Sequence, residues 1–491
     1  MRNLVNANIM KGFFRSTLLL VAAALSVVSC SKDGERGRLS FEKSALFFMA
    51  GETKSVKFSA SDVRSLTVSS KPAEWGDPVI NTETKTVRIT APAPNTEGAA
   101  ESGTLTITGR GDNGRSVSAS IYVSISRTVD MSDRPANSYL VNSRQTNYLF
   151  DAMHAGDGTT ALETARLQII WQRPSDLIEY LTLDEEGRAS FFVGADDDDE
   201  GRIKQGNALI GAYDTKGNLL WSWHVWAADY DPDNRGTVSF NGYEMMDRNL
   251  GALADSNASS DDVLNSFGLY YQWGRKEPFI GPGTYDFSNG TSATLYDDEG
   301  DVVSLSVEES SAETGTVDYA REHPLTFIAG VEASEYDWMW GSHSEALWSD
   351  AKTANDPCPY GWKVAPAAAF AGLTIADPLE GGSADEYFDK YGWTLTDGSA
   401  ESLFMGAGRR IYPDGRFQNI YVNPDSERQV RNVAMYDQPW VGLYWTTDIS
   451  SSQSSAFYFF FNKLHVENSR VEGPVLHYRA NGMPVRCVAD R

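Results

Sequence analysis

Three residue types in this 491-residue chain could carry chemistry by their placement: cysteine, the aromatics and clustered acids. Cys30 follows the small residues Val27, Val28 and Ser29, which let a processing peptidase approach the backbone closely. Its thiol can then carry diacylglycerol. Upstream, Arg2, Lys11 and Arg15 supply positive charge, and residues 16–28 form an apolar or small-residue run. That run is shorter than the about 20 apolar residues of a relaxed membrane span and has the shape of a secretory signal peptide. Two more cysteines, Cys358 and Cys487, would then sit in an oxidising compartment, either as buried thiols or as one disulfide. We expect the disulfide, whose long loop adds up to ~4–5 kcal/mol on the chain-entropy model.

The aromatics form two groups. Trp338, Trp340 and Trp348 fall close together with Tyr336 and His343, and Trp440, Tyr444 and Trp445 make a second set. These six aromatics, Trp338, Trp340, Trp348, Trp440, Tyr444 and Trp445, are the candidate ligand-binding residues, because aromatic faces stack on sugar C–H surfaces and lose little rotamer entropy when ordered. Each could instead fill the core of a loop-rich fold, and at least one exposed aromatic site is expected among them. Trp221, Trp223 and Trp226 could form a sugar-stacking platform, but they read rather as a core strand whose outward tryptophan packs on a neighbouring domain. Phe457-Tyr458-Phe459-Phe460-Phe461 reads as a buried strand.

The acids and histidines point away from catalysis. Asp229-Tyr230-Asp231-Pro232-Asp233 starts like a calcium loop, but Asn234 stands where glycine is wanted and Asn241 where the bidentate glutamate belongs. An interdomain turn is expected there, and a solvated loop at Asp196–Asp199 with Glu200. None of the six histidines lies in a zinc-protease motif, and neither a nucleophile elbow nor a Walker loop occurs. We expect no enzyme, no catalytic residue, no metal and no cofactor. The formal net charge of −25 becomes −28 once the leader is removed, since residues 1–29 hold three cations and no acid. Phosphate backbones need a basic face, so nucleic acid is excluded as a partner.

The elements that position these residues divide the mature chain into modules. Residues 39–127 show period-two alternation in Leu105/Ile107 and Ile121/Val123/Ile125, the mark of half-buried antiparallel strands. Their length and turn spacing predict an immunoglobulin-like sandwich. Residues 128–235 read as a second β-sandwich, with a hairpin over 207–226 closed by Asp214-Thr215-Lys216-Gly217-Asn218. Residues 236–491 form one aromatic-rich unit.

Several stretches resemble known families. The approach to Cys30 is similar to the lipobox of bacterial lipoproteins. Residues 30–38 look like a tether, with a charge pattern similar to surface-export signals of Bacteroidota lipoproteins. Residues 39–127 resemble BACON-type modules of those proteins. Ala136-Asn137-Ser138-Tyr139-Leu140-Val141 and Gly217–Trp226 are similar to Bacteroidota surface and fimbrillin-like proteins. In the last unit, Tyr243–Gly251, Gly268–Arg275, Asp356–Pro366, Tyr444-Trp445-Thr446-Thr447 and Pro484-Val485-Arg486-Cys487-Val488 together resemble the Fibrobacter succinogenes major paralogous domain. Pro366-Ala367 departs from that family's usual Pro-Thr, which bears on the helix start there. The resemblance implies a C-type-lectin-like α+β head in which a late strand returns beside the start, with Cys358 and Cys487 as the staple.

The expected architecture is therefore multidomain: signal peptide 1–29, tether 30–38, two immunoglobulin-like sandwiches at 39–127 and 128–235, and a lectin-like α+β head at 236–491. The expected function is that of a non-catalytic surface lipoprotein, an adhesin or glycan-binding protein that includes fimbria-associated forms. Its partners would be the outer-membrane bilayer, through acylated Cys30, and a glycan or surface-protein ligand. The rival readings are an assembly component that binds only protein, and an enzyme acting on polysaccharide.

Overall fold

The computed structural model describes residues 37–93, 96–111, 114–199, 201–283, 291–341, 343, 346–376, 390–418, 440–463 and 465–491. The leader, Cys30 and most of the tether lie outside the described residues, as does Glu200. Strand dominates throughout, so the chain is a multidomain, mainly β protein. Among the described residues no helix is long and apolar enough to cross a membrane.

The first module packs two four-stranded sheets face to face. One holds Arg38–Phe41, Thr53–Ser61, Thr86–Thr90 and Val79–Asn81; the other holds Ala45–Phe48, Ser116–Ile125, Ser102–Gly111 and Val63–Ser70. Leu105, Ile107, Ile121 and Val123 all point into the space between them, around Trp75 and Phe48. Burial of such side chains is worth roughly 1.5–3 kcal/mol each. On the solvent face, threonine and serine hydroxyls link strands, as in Thr108–Ser118 and Thr106–Ser120, both at 2.9 Å.

Only Ser126 separates this module from the next. The strand Arg127–Asp130 starts at once and pairs in parallel with Thr146–Asp151 of the second module. The boundary expected at 127/128 thus falls inside an edge strand. Aromatic rings close the junction: Phe47 stacks on Phe192 at 5.1 Å, and Tyr122 on Tyr180 at 4.7 Å.

In the second module the hairpin Gly206–Tyr213/Leu219–Ala227 forms, its turn held by the Asp214 carboxylate accepting from the Lys216 and Asn218 amides. Trp221, Trp223 and Val225 face the module's own core. Trp226 faces the other way, is buried against the head, and donates to the Ala252 carbonyl at 3.0 Å. The sheet does not stop at residue 235. Leu295–Tyr296 of the head pairs with Arg166–Arg173, and Val302–Val303 follows, which makes a six-stranded sheet. The boundary at 235/236 separates stretches of sequence, and the sheet runs across it.

The head is poorer in helix than the expected α+β unit. Among its described residues the α-helices are Ser260–Ser266 and Val317–Glu322, each little more than a turn or two long. Pro366 opens only a 3-10 turn, Ala367–Phe370. Cys487–Ala489 lies between Tyr243–Met246, near the start of the unit, and Trp362–Val364. Cys358 and Cys487 are joined in a disulfide.

Candidate functional site

Five of the six aromatics proposed from sequence as ligand-facing lie in the core. Trp338, Trp348, Trp440, Tyr444 and Trp445 are fully buried. Four of them place their polar atom on a carbonyl: Trp338 on Trp273 at 2.7 Å, Trp348 on Asn355 at 2.9 Å, Trp445 on Tyr271 at 2.8 Å and Tyr444 on Met405 at 2.8 Å. Trp440 stacks on Phe461 at 5.3 Å. A wide ring with one donor suits a gap between short strands that also leaves a carbonyl unpaired, which is why the core claimed them. Trp340 alone is exposed, at 37%, and its amide donates to the Gly315 carbonyl at 2.8 Å.

A partly exposed aromatic cluster is built from tyrosines. Tyr336, Tyr412 and Tyr478 are each half-buried, and their ring centroids lie 5.0, 4.7 and 5.1 Å apart, pair by pair. They come from three separate segments: the second residue after the 3-10 turn Glu332–Ser334, the loop after Arg409–Arg410, and the end of the strand Arg470–Tyr478. The rings meet edge to face or tilted, the arrangement their quadrupoles favour. None of the three hydroxyls has a hydrogen-bond partner among the described residues.

A tight backbone frame holds the rings in place. Buried Asn481 accepts from the Tyr412 amide at 3.1 Å and donates to the Tyr478 carbonyl at 2.8 Å. The Gly330 amide donates to the Tyr412 carbonyl at 2.9 Å. A Cβ on Gly330 would stand 2.6 Å from the Tyr336 carbonyl group and 2.8 Å from the Ala480 Cβ, so only glycine fits. Glu335 and Tyr336 are successive non-glycine residues at φ 53° and 61°. Such positions cost roughly 1–3 kcal/mol each and persist only where the surroundings enforce them.

Beneath the rings sits a buried acid. Asp337 accepts from the Met339 amide at 3.0 Å, meets His343 Nδ1 at 2.7 Å and lies 3.8 Å from the Arg479 guanidinium, which itself lies over the Trp273 ring. Burial raises the Asp337 carboxyl above its ordinary value, against the pull of the Met339 amide, His343 and Arg479. Partial burial, then the Glu332 charge and the two neighbouring phenols, raise the Tyr336 phenol likewise.

Other chemistry-bearing groups are spent on structure. Ser138 Oγ, His224 and Asn207 form a chain at 3.0 and 2.9 Å, but all three are buried, and Ser138 Oγ donates to the Pro357 carbonyl at 2.6 Å. Burial pushes His224 down to about 3, so the ring is neutral. A cleft of about 790 Å³ opens between the second sandwich and the head, with Tyr360 on its rim. Two of the charged residues that line it are paired, Asp490 with Lys363 at 3.0 Å and Arg491 with Glu244. Residues 229–236 form a turn closed by the Arg235 amide on the Asp231 carbonyl at 2.7 Å. Among the described residues no group of three or more His, Cys, Asp or Glu side chains is placed to hold a metal.

From sequence, Tyr336 and His343 were visible only as neighbours of the tryptophan group. Tyr412 and Tyr478 carried no local signal, because the site assembles from segments far apart along the chain.

No family model and no curated protein matches this chain. Among solved structures, an endo-fucoidan hydrolase of glycoside hydrolase family 107 is 16% identical over 37% of this chain and 32% of its own, with a TM-score of 0.15. The SGBP-B protein of a Bacteroides ovatus mixed-linkage glucan utilization locus, solved with a heptasaccharide, is 12% identical over 38% and 43%, with a TM-score of 0.13. The insect immune protein hemolin is 10% identical over 42% and 54%, with a TM-score of 0.15. The chain thus spans about a third to a half of these structures. Overlaps this small leave the fold to be read from its own sheets.

Proposed function

We propose that this protein is a lipid-anchored cell-surface binding protein of the adhesin or glycan-binding kind, and that it takes its ligand on the Tyr336–Tyr412–Tyr478 platform. The tyrosine triad is the observation that carries the reading. Rigid aromatic area with free polar tips is what recognition surfaces use, because little side-chain entropy is lost on binding. Glu335 and Tyr336, both held in the left-handed region, fix the Tyr336 ring in advance, and a pre-set ligand platform gains in affinity.

The anchor belongs to the same proposal. Acylation of Cys30 would hold the chain to the outer membrane, facing the cell exterior, with the two sandwiches lifting the head away from it. The lectin-like description of the head and its kinship with the Fibrobacter succinogenes major paralogous domain are also part of it; the return of Cys487–Ala489 beside Tyr243–Met246, with its disulfide, supports them. The test has two arms. Mass spectrometry of the mature N-terminus should find an acylated cysteine at position 30. Cells carrying Tyr336→Ala with Tyr478→Ala should lose attachment to surfaces that wild-type cells bind, with surface display unchanged. Equal attachment of both strains would overturn the binding role of the triad.

A further inference from the structure

We infer that the tyrosine platform takes an uncharged pyranose sugar; this rests on the binding role just proposed and narrows it to one ligand class. The first ground is shape. Three half-buried phenol rings lie within about 5 Å of one another and offer faces and edges at several angles to a ligand, and their backbones are locked by Asn481 and Gly330 before any ligand arrives.

The second ground is hydrogen bonding. A pyranose offers C–H faces between hydroxyl edges that both donate and accept. The platform matches this, because each phenol, without a hydrogen-bond partner among the described residues, can do either. A ligand without hydroxyls would leave these three groups unpaired as it excluded water from them, which costs affinity.

The third ground is charge. Glu332 and Glu335 belong to the same turn as Tyr336 and are exposed. Glu332 is close enough to bear on the Tyr336 phenol, and Glu335 lies 3.9 Å from His343 Nε2. On the other side, Arg409 bears on Tyr412 and is tied to Gln418 at 2.8 Å and His477 at 3.1 Å. Carboxylates flank one ring and a guanidinium another, so neither sign dominates the platform. An anionic glycan would meet the carboxylates in a chain of net charge −25. A basic peptide would be drawn to the chain as a whole yet would meet Arg409 at the platform itself. The exposed carboxylates serve a neutral polyol as acceptors for its hydroxyls, while the Arg409 guanidinium is held by Gln418 and His477.

The experiment is a titration of the purified full chain with maltoheptaose, cellohexaose and a mannan oligosaccharide, beside polygalacturonate and octa-arginine, in wild type, Tyr412→Ala, Tyr478→Ala and Tyr478→Phe. At least one neutral oligosaccharide should bind, at least tenfold more weakly to each alanine variant and a few-fold more weakly to Tyr478→Phe. Near-ultraviolet circular dichroism would show that the variants keep their fold. Binding confined to polygalacturonate or octa-arginine, yet lost in the alanine variants, would overturn the sugar class and leave the platform as a binding site. Neutral-sugar binding untouched by the alanine variants, or no binding by any probe, would overturn both.

Discussion

Lys276 Nζ donates to both the carbonyl and the hydroxyl oxygen of Ser222, at 2.9 and 2.8 Å, across the seam between the second sandwich and the head. It also lies 4.4 Å from the centroid of the Trp221 ring. Its charge is met by Glu277 at 2.9 Å, which faces Arg275 at 3.4 Å as well. All three charges are buried, so their value depends on mutual pairing.

Removing the carboxylate should therefore cost more than removing a cation with it. Glu277→Gln leaves two buried cations without a counter-charge and should destabilise the protein by about 3–5 kcal/mol. The double change Glu277→Gln with Lys276→Met should recover part of that loss. Urea unfolding of the three proteins checks the order. Burial raises the Glu277 carboxyl, but Lys276 and Arg275 outweigh it and hold the group below its ordinary 4.5. Its contribution is accordingly complete above pH 4.5 and lost as pH falls through the lower folded value.

A second pH effect comes at milder acidity. Burial pushes His224 down from 6.5 to about 3. The unfolded chain binds a proton in that interval that the native chain refuses, so stability is whole above pH 6.5 and declines as pH drops towards 3. Between pH 6.5 and 5 this one ring should cost about 2 kcal/mol. His224→Gln should be less stable at pH 7 yet flatter over that interval in urea unfolding. An unchanged slope would remove His224 as the source.

The disulfide should matter most to the unfolded state. Cys358→Ser with Cys487→Ser opens a loop of 129 residues and should lower stability by about 2–5 kcal/mol. Both sulfurs are fully buried, so dithiothreitol should reduce the bond slowly in native buffer and quickly in urea. Thiol titration over time in the two conditions tests this.

Gly330→Ala probes the platform from below. The added methyl group would push on the Tyr336 carbonyl and on Ala480, and overpacking of this kind costs about 1–3 kcal/mol. We expect a folded protein with the Tyr336 ring displaced and ligand affinity reduced. Retained affinity with a lowered melting temperature would mean that Tyr336 is not a ligand contact.

Much of the β architecture was legible in the sequence, because alternation along a strand is a local property. Leu105, Ile107, Ile121 and Val123 declare their inward face by spacing alone, and Asp214 to Asn218 declare their turn by composition. The opposite faces of Trp221–Trp226 were equally readable, since a period of two leaves no other choice. What sequence could not decide was anything set by distance between remote segments. Cys358 and Cys487 were compatible with thiols or a bond until their Cα atoms were placed 6.1 Å apart. A tryptophan looks the same in sequence whether it fills a core gap or faces solvent, so the burial of Trp338, Trp348, Trp440 and Trp445 awaited the packing around them. The sheet shared across residue 235 and the meeting of Tyr336, Tyr412 and Tyr478 are likewise properties of closure in three dimensions: each needs partners whose proximity no local pattern encodes.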